Sequence, residues 1–225
     1  MSETEPDLPP EVAPPAARLS SKIEPATTEQ RRLKRVLAQV ADLDLAIYRA
    51  VAVTPTPDLD EPMRRLSELA DHSKLWLGTA AVFATLGGRT GRRVAAAGVG
   101  AIALNSLIVN VPLKLAGKRE RPDREAAKVP TARHVAMPTS PSFPSGHAAS
   151  GFAFAAAVGG TLPAAAAPVR AAASAVAYSR VHTGVHYPGD VVIGALIGST
   201  IGECVTVASR LLERRRAKRG GAVGP

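Results

Sequence analysis

Three short segments of the sequence combine cations, histidines and a carboxylate in a spacing that suits phosphate chemistry. In chain order they run from Lys114 to Pro122, from Pro144 to His147 and from Ser179 to Asp190. The first and third segments contribute three cations that face no matching acidic cluster: Lys114, Arg121 and Arg180. A phosphoryl group with two or three negative charges would balance them.

The second segment adds a further anion-binding feature. Ser145, Gly146 and His147 stand at the predicted start of a helix, where unpaired backbone N–H groups favour an anion and glycine allows close approach. His147, His186 and Asp190 complete the set of nucleophile, acid and orienting carboxylate needed for phosphoryl transfer. Asp190 follows His186 by one helical turn and can select its tautomer, but these residues alone leave open which histidine attacks.

A metal site is the alternative use of the histidines. His182 and His186 are four residues apart, yet no Glu follows His182 as a zinc-protease helix requires. The single Cys204 adds no ligand pair. We therefore predict neither a metal nor another cofactor.

The elements that position these segments are predicted to be apolar helices. Residues 94–113 form a run of twenty residues without charge, which matches a bilayer span. Apolar runs also cover residues 75–88, 143–169 and 191–209, the last of which carries only Glu203, and an Ala-rich helical segment extends to Tyr178. Pro163 and Pro168 are expected to break the helix within residues 143–169. If five such helices alternate in direction, all three segments reach the same end of the bundle.

The predicted fold class is an all-α, integral-membrane helical bundle with about five membrane helices. Residues 1–27 predict a disordered, Pro-rich acidic arm, and residues 28–73 predict two amphipathic helices that can lie on the membrane interface. Residues 74–209 form the membrane-embedded domain, and residues 210–225 a basic tail beside anionic headgroups. A soluble bundle with buried helices is the alternative, but Gly194, Gly198 and Gly202 favour close contacts in lipid.

The net charge of +9 is concentrated in the apolar part of the chain. Residues 1–72 carry 9 basic and 13 acidic side chains, so the remainder holds 19 of the 28 basic and 6 of the 19 acidic ones. With only eight aromatic residues, nucleic-acid binding is not predicted. Five further cations between residues 118 and 133 are expected to be solvated loop charges, some of them near a headgroup: Lys118, Arg119, Arg124, Lys128 and Arg133.

The three segments, in this order and spacing, resemble the tripartite signature of the type 2 phosphatidic acid phosphatases, lipid phosphate phosphatases related to vanadium-dependent haloperoxidases. The resemblance covers roughly residues 58–209. It implies that His186 attacks phosphorus to form a phosphohistidine, that Asp190 holds its ring, and that His147 protonates the leaving alkoxide and then activates water. It also implies a set of phosphate-binding residues: Lys114, Arg121, Arg180, Ser145 and Gly146.

The expected function is therefore a multi-pass cell-membrane phosphatase that hydrolyses a lipid phosphate or diphosphate without a metal. Candidate substrates are isoprenyl phosphates or diphosphates, phosphatidic acid and phosphatidylglycerol phosphate. The Ala, Arg, Val and Gly bias suggests a GC-rich bacterium, and for such a source the resemblance implies decaprenyl-phosphoryl sugar phosphates as further candidates. The alternatives are a vanadate-dependent haloperoxidase and a non-enzymatic basic scaffold.

The expected partners are the lipid substrate and membrane lipids, with the oligomeric state left open. The distribution of arginines slightly favours an outward-facing site. The end of the predicted bundle opposite the site carries Arg89, Arg92, Arg93 and Arg170, and positively charged loops usually lie in the cytoplasm. The equally basic loop from Lys114 to Arg133 and an odd helix count favour the reverse.

Overall fold

The computed structural model describes residues 27–113 and 118–220 of the 225-residue chain. Lys114, residues 1–26 of the predicted arm and the last five residues of the predicted tail lie outside the described residues. The chain separates into two units, residues 1–42 and 43–225. In the first unit, Thr27 and Gln30 exchange hydrogen bonds of 2.8 and 3.2 Å between backbone N–H groups and side-chain oxygens. This reciprocal cap starts the first helix where the amphipathic pattern predicts it.

Seven α-helices account for most of the described chain, which contains no strand over these residues. They are α1 (Thr28–Val53), α2 (Pro57–Leu69), α3 (Lys74–Leu86), α4 (Gly88–Ile108), α5 (Gly146–Thr161), α6 (Ala166–His182) and α7 (Pro188–Gly220). The predicted all-α fold class is therefore confirmed.

Helix α5 forms the centre of the bundle and is packed by α4, α6 and α7. Most of its 16 residues are buried, and its apolar residues are predominantly alanine. Phe154 of α5 lies under the ring of Trp76 from α3, with ring centroids 5.6 Å apart, and fills the space beside Gly98 of α4. Small residues thus bring the helix backbones close together, while these two aromatic rings fill part of the remaining core.

The contact between α5 and α7 depends on three glycines. Gly194, Gly198 and Gly202 repeat every four residues along one face of α7. A Cβ atom at these positions would overlap, in order, the backbone carbonyl oxygens of Ser145, Ala149 and Ala153. The predicted close helix contact is confirmed, and it holds the start of α7 against the start of α5.

Helix length separates α7 from the shorter helices. Residues 188–215 of α7 are the one segment of the described chain that is long and apolar enough to cross a membrane, and 33% of its most apolar window is buried. Its exposed apolar residues include Val192, Leu196 and Val207. The 13 residues of α3 rise only about 20 Å, against about 30 Å of hydrocarbon. The expected five membrane helices therefore remain a prediction.

One proline and one arginine differ from expectation. Pro163 separates α5 from α6 as expected, whereas Pro168 lies in the first turn of α6, where its missing N–H breaks no helical hydrogen bond. Arg133 is not a solvated loop charge, because its side chain is 1% exposed. It donates to the carbonyl of Thr54 at 2.7 Å and to the Asp60 carboxylate at 2.7 Å, and so joins the end of α1 to α2.

Candidate active site

The centre of the candidate site is the pair His186 and Asp190, which meet where α6 passes into α7. His186 lies in the connection and is 2% exposed, while Asp190 lies in the first turn of α7 and is fully buried. Their closest atoms, His186 Nδ1 and Asp190 Oδ2, are 3.5 Å apart. Asp190 also accepts hydrogen bonds from the Ser142 hydroxyl at 2.5 Å and the Tyr187 backbone N–H at 3.0 Å.

The other ring nitrogen of His186 faces a cation. Nε2 lies 3.2 Å from Nη1 of Arg121, which can only donate, so these contacts assign the lone pair to Nε2 and the proton to Nδ1. Burial, with the charges of Arg121 and Arg180, lowers the pKa of His186 to about 4 despite the opposing effect of Asp190. The ring is therefore neutral near pH 7, with its lone pair directed toward the cations.

Arg121 is held in place by backbone carbonyl groups. Its Nη1 donates to Val185 O at 2.8 Å and its Nε to Ser140 O at 2.9 Å. Burial is the main reason that the pKa of Arg121 is lowered from its ordinary value. Since carbonyls rather than carboxylates hold the guanidinium, its positive charge is available to an anion.

Arg180 brings the second described cation from the last turn of α6. It is 1% exposed, and its Nη1 donates to the Ser67 hydroxyl at 2.5 Å. Within residues 27–113 and 118–220, its buried Nε has no hydrogen-bond partner. A buried guanidinium N–H without a partner is costly unless a ligand accepts from it.

The start of α5 borders the same site. Ser145 caps this helix, accepting from the Ala148 N–H at 3.5 Å, and its own N–H donates to the carbonyl of Asp190 at 3.0 Å. Gly146 and His147 therefore begin α5 beside the first turn of α7. The N-terminal end of a helix carries a partial positive charge and N–H groups that favour an anion.

His147 is joined to the site through a residue that the motif analysis missed. Its Nε2 lies 2.8 Å from Oδ1 of Asp71, in the short turn between α2 and α3. The same carboxylate oxygen lies 3.8 Å from Nη1 of Arg180. The hydrogen bond with His147 is the main reason that the pKa of Asp71 is lowered.

A cleft of about 380 Å³ opens beside His147. Its walls combine apolar side chains with a few hydroxyl groups and include Leu77, Ile102, Ser106 and Ser150. This composition suits the apolar part of a lipid next to its polar headgroup.

A second ion-pair group supports Asp190 and corrects the expectation for Arg119. This side chain, 33% exposed, is not a solvated loop charge: it donates to Asp190 Oδ1 at 2.9 Å and to Asp44 Oδ2 at 2.6 Å. Asp44, on α1, also accepts from the N–H of Gly189 at 2.6 Å. Arg119 lies 4.0 Å above the centre of the Tyr187 ring.

Arg124 is also half-buried rather than fully solvated. Its Nη1 donates to the carbonyl of Val135 at 2.9 Å, while among the described atoms its buried Nε and Nη2 have no partner. Burial lowers the pKa of Arg121 most, the charge of Asp190 opposes this effect, and the charge of Arg124 adds to the lowering. Arg124 thus extends the positive region around Arg121.

His182 and His186, the alternative metal pair, have separate partners in the structure. His182 directs Nε2 to Asp60 Oδ1 at 3.1 Å, next to Arg133, so its ring belongs to the ion-pair cluster that joins α2 and α6. Among the described residues, no group of three or more His, Cys, Asp or Glu side chains is arranged to hold a metal ion.

The predicted site residues that the structure describes come together at one end of α5. They are His186, Asp190, Arg121, Arg180, His147, Ser145 and Gly146.

Comparison with known proteins relates this chain to a family and to named relatives. The family model of the PAP2 superfamily matches residues 95–214. The chain is 33% identical over 181 residues to decaprenylphosphoryl-5-phosphoribose phosphatase of Mycobacterium tuberculosis H37Rv, covering 78% of this chain and 96% of that protein. It is 35% identical over 145 residues to the enzyme of that name from Mycolicibacterium smegmatis, covering 64% and 75% of the two chains.

Two solved structures have a similar fold. The transmembrane PAP2-type phosphatidylglycerolphosphate phosphatase of Bacillus subtilis aligns with a TM-score of 0.59 at 24% identity, covering 76% of this chain and 87% of that one. Aquifex aeolicus LpxE aligns with a TM-score of 0.56 at 26% identity, covering 72% and 94%.

Proposed function

The chain belongs to the PAP2 superfamily and is a membrane lipid phosphatase, and from that premise we propose that it transfers the phosphoryl group of its substrate to His186 and then to water. The observation that carries this proposal is the ring of His186, which is neutral and directs Nε2 toward Arg121 while Nδ1 faces Asp190. A neutral imidazole with its lone pair directed at a cationic pocket can attack a bound phosphorus atom.

The first step forms the bond between His186 Nε2 and phosphorus and breaks the bond between phosphorus and the lipid oxygen. Arg121, Arg180, the N-terminal end of α5 and Lys114 would stabilise the negative charge on the phosphoryl oxygens. The Nε of Arg180, which has no partner among the described residues, supports this assignment, because an anion in the pocket would accept from it. Asp190 would stabilise the positive charge that His186 acquires.

His147 is the proposed acid of this step. It would give its proton to the leaving lipid oxygen and, in the second step, take a proton from the water that attacks the phosphohistidine. The second step breaks the bond between nitrogen and phosphorus, releases inorganic phosphate and restores neutral His186. The cleft beside His147 would receive the leaving lipid, since the protonated oxygen must lie next to the acid.

We propose a polyprenyl-phosphoryl sugar phosphate as the substrate class. The support is the M. tuberculosis phosphatase, which matches over 96% of its length and is named for decaprenylphosphoryl-5-phosphoribose. Phosphatidic acid and phosphatidylglycerol phosphate are the competing substrates. The matching experiment measures phosphate release from all three lipids, in detergent, and ranks them by kcat/KM.

The membrane arrangement is part of the same proposal. Residues 74–209 would form the membrane-embedded phosphatase domain. In this arrangement α3 to α7 cross the membrane, and the site lies on its outer side. An impermeant maleimide tests the orientation in intact cells that carry Thr139→Cys in a Cys204→Ser background. Labelling supports an outward site, whereas labelling only after permeabilisation places the site inside.

The mechanism is tested by rapid quenching with a ³²P-labelled lipid phosphate. Wild-type enzyme should retain acid-labile label, while His186→Ala should retain none and should lose turnover. His147→Ala should slow the first step about 10² to 10⁴-fold. Label retained by His186→Ala, or an active His186→Ala enzyme, would refute the proposal.

A further inference from the structure

Asp71 lies outside the three motifs, yet it contacts two of their residues. Its Oδ1 is 2.8 Å from Nε2 of His147 and 3.8 Å from Nη1 of Arg180. These two residues come from the start of α5 and the end of α6. Asp71 is therefore the side chain through which the proposed acid and a proposed phosphate-binding cation are connected.

The backbone around Asp71 is held in an unusual conformation. His72 and Ser73, which follow it, both have positive φ, at 53° and 59°, although neither is glycine. A non-glycine residue in this region is strained and persists only where the surrounding structure maintains it. Both residues also line the cleft beside His147. The strained turn therefore places Asp71 at the edge of the proposed site.

The Asp71 carboxylate is not itself a buried charge that needs a partner. Its side chain is 40% exposed, whereas those of the other two described acids at the site, Asp44 and Asp190, are 8% and 0% exposed. A carboxylate with that access to water could remain solvated without His147. Burial of Asp71 itself therefore does not account for its direct hydrogen bond to His147.

We propose that Asp71 is the positioning residue of the acid: it keeps His147 protonated and correctly oriented for the leaving lipid oxygen. This inference rests on the role proposed for His147. A carboxylate hydrogen bonded to an imidazole favours the charged imidazolium, which is the form that can donate a proton. His186 likewise has a carboxylate neighbour in Asp190, although burial keeps the His186 ring neutral.

The charged groups near Asp71 define what a substitution changes. They are His147 on α5, Arg180 on α6 and His72 in the same turn. Asp71→Asn keeps the size and a hydrogen-bonding oxygen but removes the negative charge that favours protonated His147. Ser67→Ala instead removes the hydroxyl partner of Arg180 and leaves the contact between Asp71 and His147 intact.

The experiment uses full-length enzyme in detergent with two substrates that differ in leaving group. Dioctanoyl phosphatidic acid releases an alkoxide that needs a proton, whereas 4-nitrophenyl phosphate releases a stable phenolate. For phosphatidic acid, Asp71→Asn should lower kcat about 10- to 100-fold, less than the loss of the whole acid. It should also move the alkaline limb of the kcat profile about one unit toward lower pH.

Two further measurements separate positioning from folding. With 4-nitrophenyl phosphate, the Asp71→Asn enzyme should lose less than threefold in kcat, because little proton transfer is required. Ser67→Ala should raise KM for both substrates without moving the alkaline limb. Asp58 is an exposed acid at the start of α2, and Asp58→Asn is the matched control. It should change neither kcat nor the position of the alkaline limb.

Two outcomes would overturn the inference: an equal loss with both substrates, or an unchanged alkaline limb for phosphatidic acid. The role of His147 is tested independently by His147→Ala. If that variant hydrolyses phosphatidic acid at the wild-type rate, the proposed mechanism fails. If it is impaired while Asp71→Asn behaves as wild type, only the inference about Asp71 fails.

Discussion

Removing Arg119 should weaken both the fold and the reaction, because this side chain neutralises two buried carboxylates. In Arg119→Ala, Asp190 and Asp44 lose hydrogen bonds of 2.9 and 2.6 Å and keep their charges. Breaking a buried pair from one side costs about 3–5 kcal/mol. Since the Arg119 side chain is 33% exposed, water recovers part of this, and we expect a loss of about 3 kcal/mol.

Thermal unfolding in detergent micelles measures this loss. For a chain of this size, about 3 kcal/mol corresponds to a fall in Tm of roughly 6–12 °C. Arg119→Lys should lose less, about 1–2 kcal/mol, because an ammonium group can neutralise one carboxylate but lacks the planar fork that reaches both. The activity of Arg119→Ala should fall as well, since Asp190 is no longer held beside His186.

A double-mutant cycle separates the two carboxylates. Asp44→Asn keeps an oxygen that accepts from Gly189 N–H but removes one uncompensated charge, so in the Arg119→Ala background it should restore part of the lost stability. The reasoning would be refuted if Arg119→Ala unfolded within 1 °C of wild type, or if Asp44→Asn made the Arg119→Ala protein less stable still.

Three further predictions concern packing, pH and inhibition. Gly198→Leu should destabilise the protein by about 3 kcal/mol or more, because the Ala149 carbonyl cannot move aside, whereas Gly100→Ala, with open space around it, should stabilise α4 by about 0.5–1 kcal/mol in the same unfolding assay. Because burial lowers the pKa of His186 to about 4, the unfolded chain binds a proton below pH 6.5 that the folded chain does not. Stability should therefore fall by about 3 kcal/mol as the pH drops from 6.5 to 4, and unfolding measured across this range should lose that component in His186→Asn. Vanadate should inhibit phosphate release competitively and EDTA should leave it unchanged, since the proposed charge stabilisation comes from side chains; activity lost in EDTA and restored by a divalent ion would contradict this.

The features that the sequence alone predicts are those that depend on neighbours a few residues apart. A helical repeat of apolar residues predicts two amphipathic helices over residues 28–73, and the structure places α1 at Thr28–Val53 and α2 at Pro57–Leu69. His186 and Asp190 are one turn apart, so their pairing could be read directly from spacing. The repeat of Gly194 and Gly198 likewise indicated a close helix contact before its partner helix was known.

The tertiary structure decided which distant side chains support these local motifs. Arg119 reaches Asp190 across 71 positions, Asp71 reaches His147 across 76, and Asp44 reaches Gly189 across 145. These polar residues lie in turns or within a helix face whose pattern is set by apolar residues, so their spacing carries no periodic signal. Their partners depend on the path of the irregular segment 118–145 and on how α1, α2 and α7 converge. Local propensity determines the helices and the motifs. The distant contacts form because buried charges and hydrogen-bonding groups need partners, which they meet only once the helices are packed.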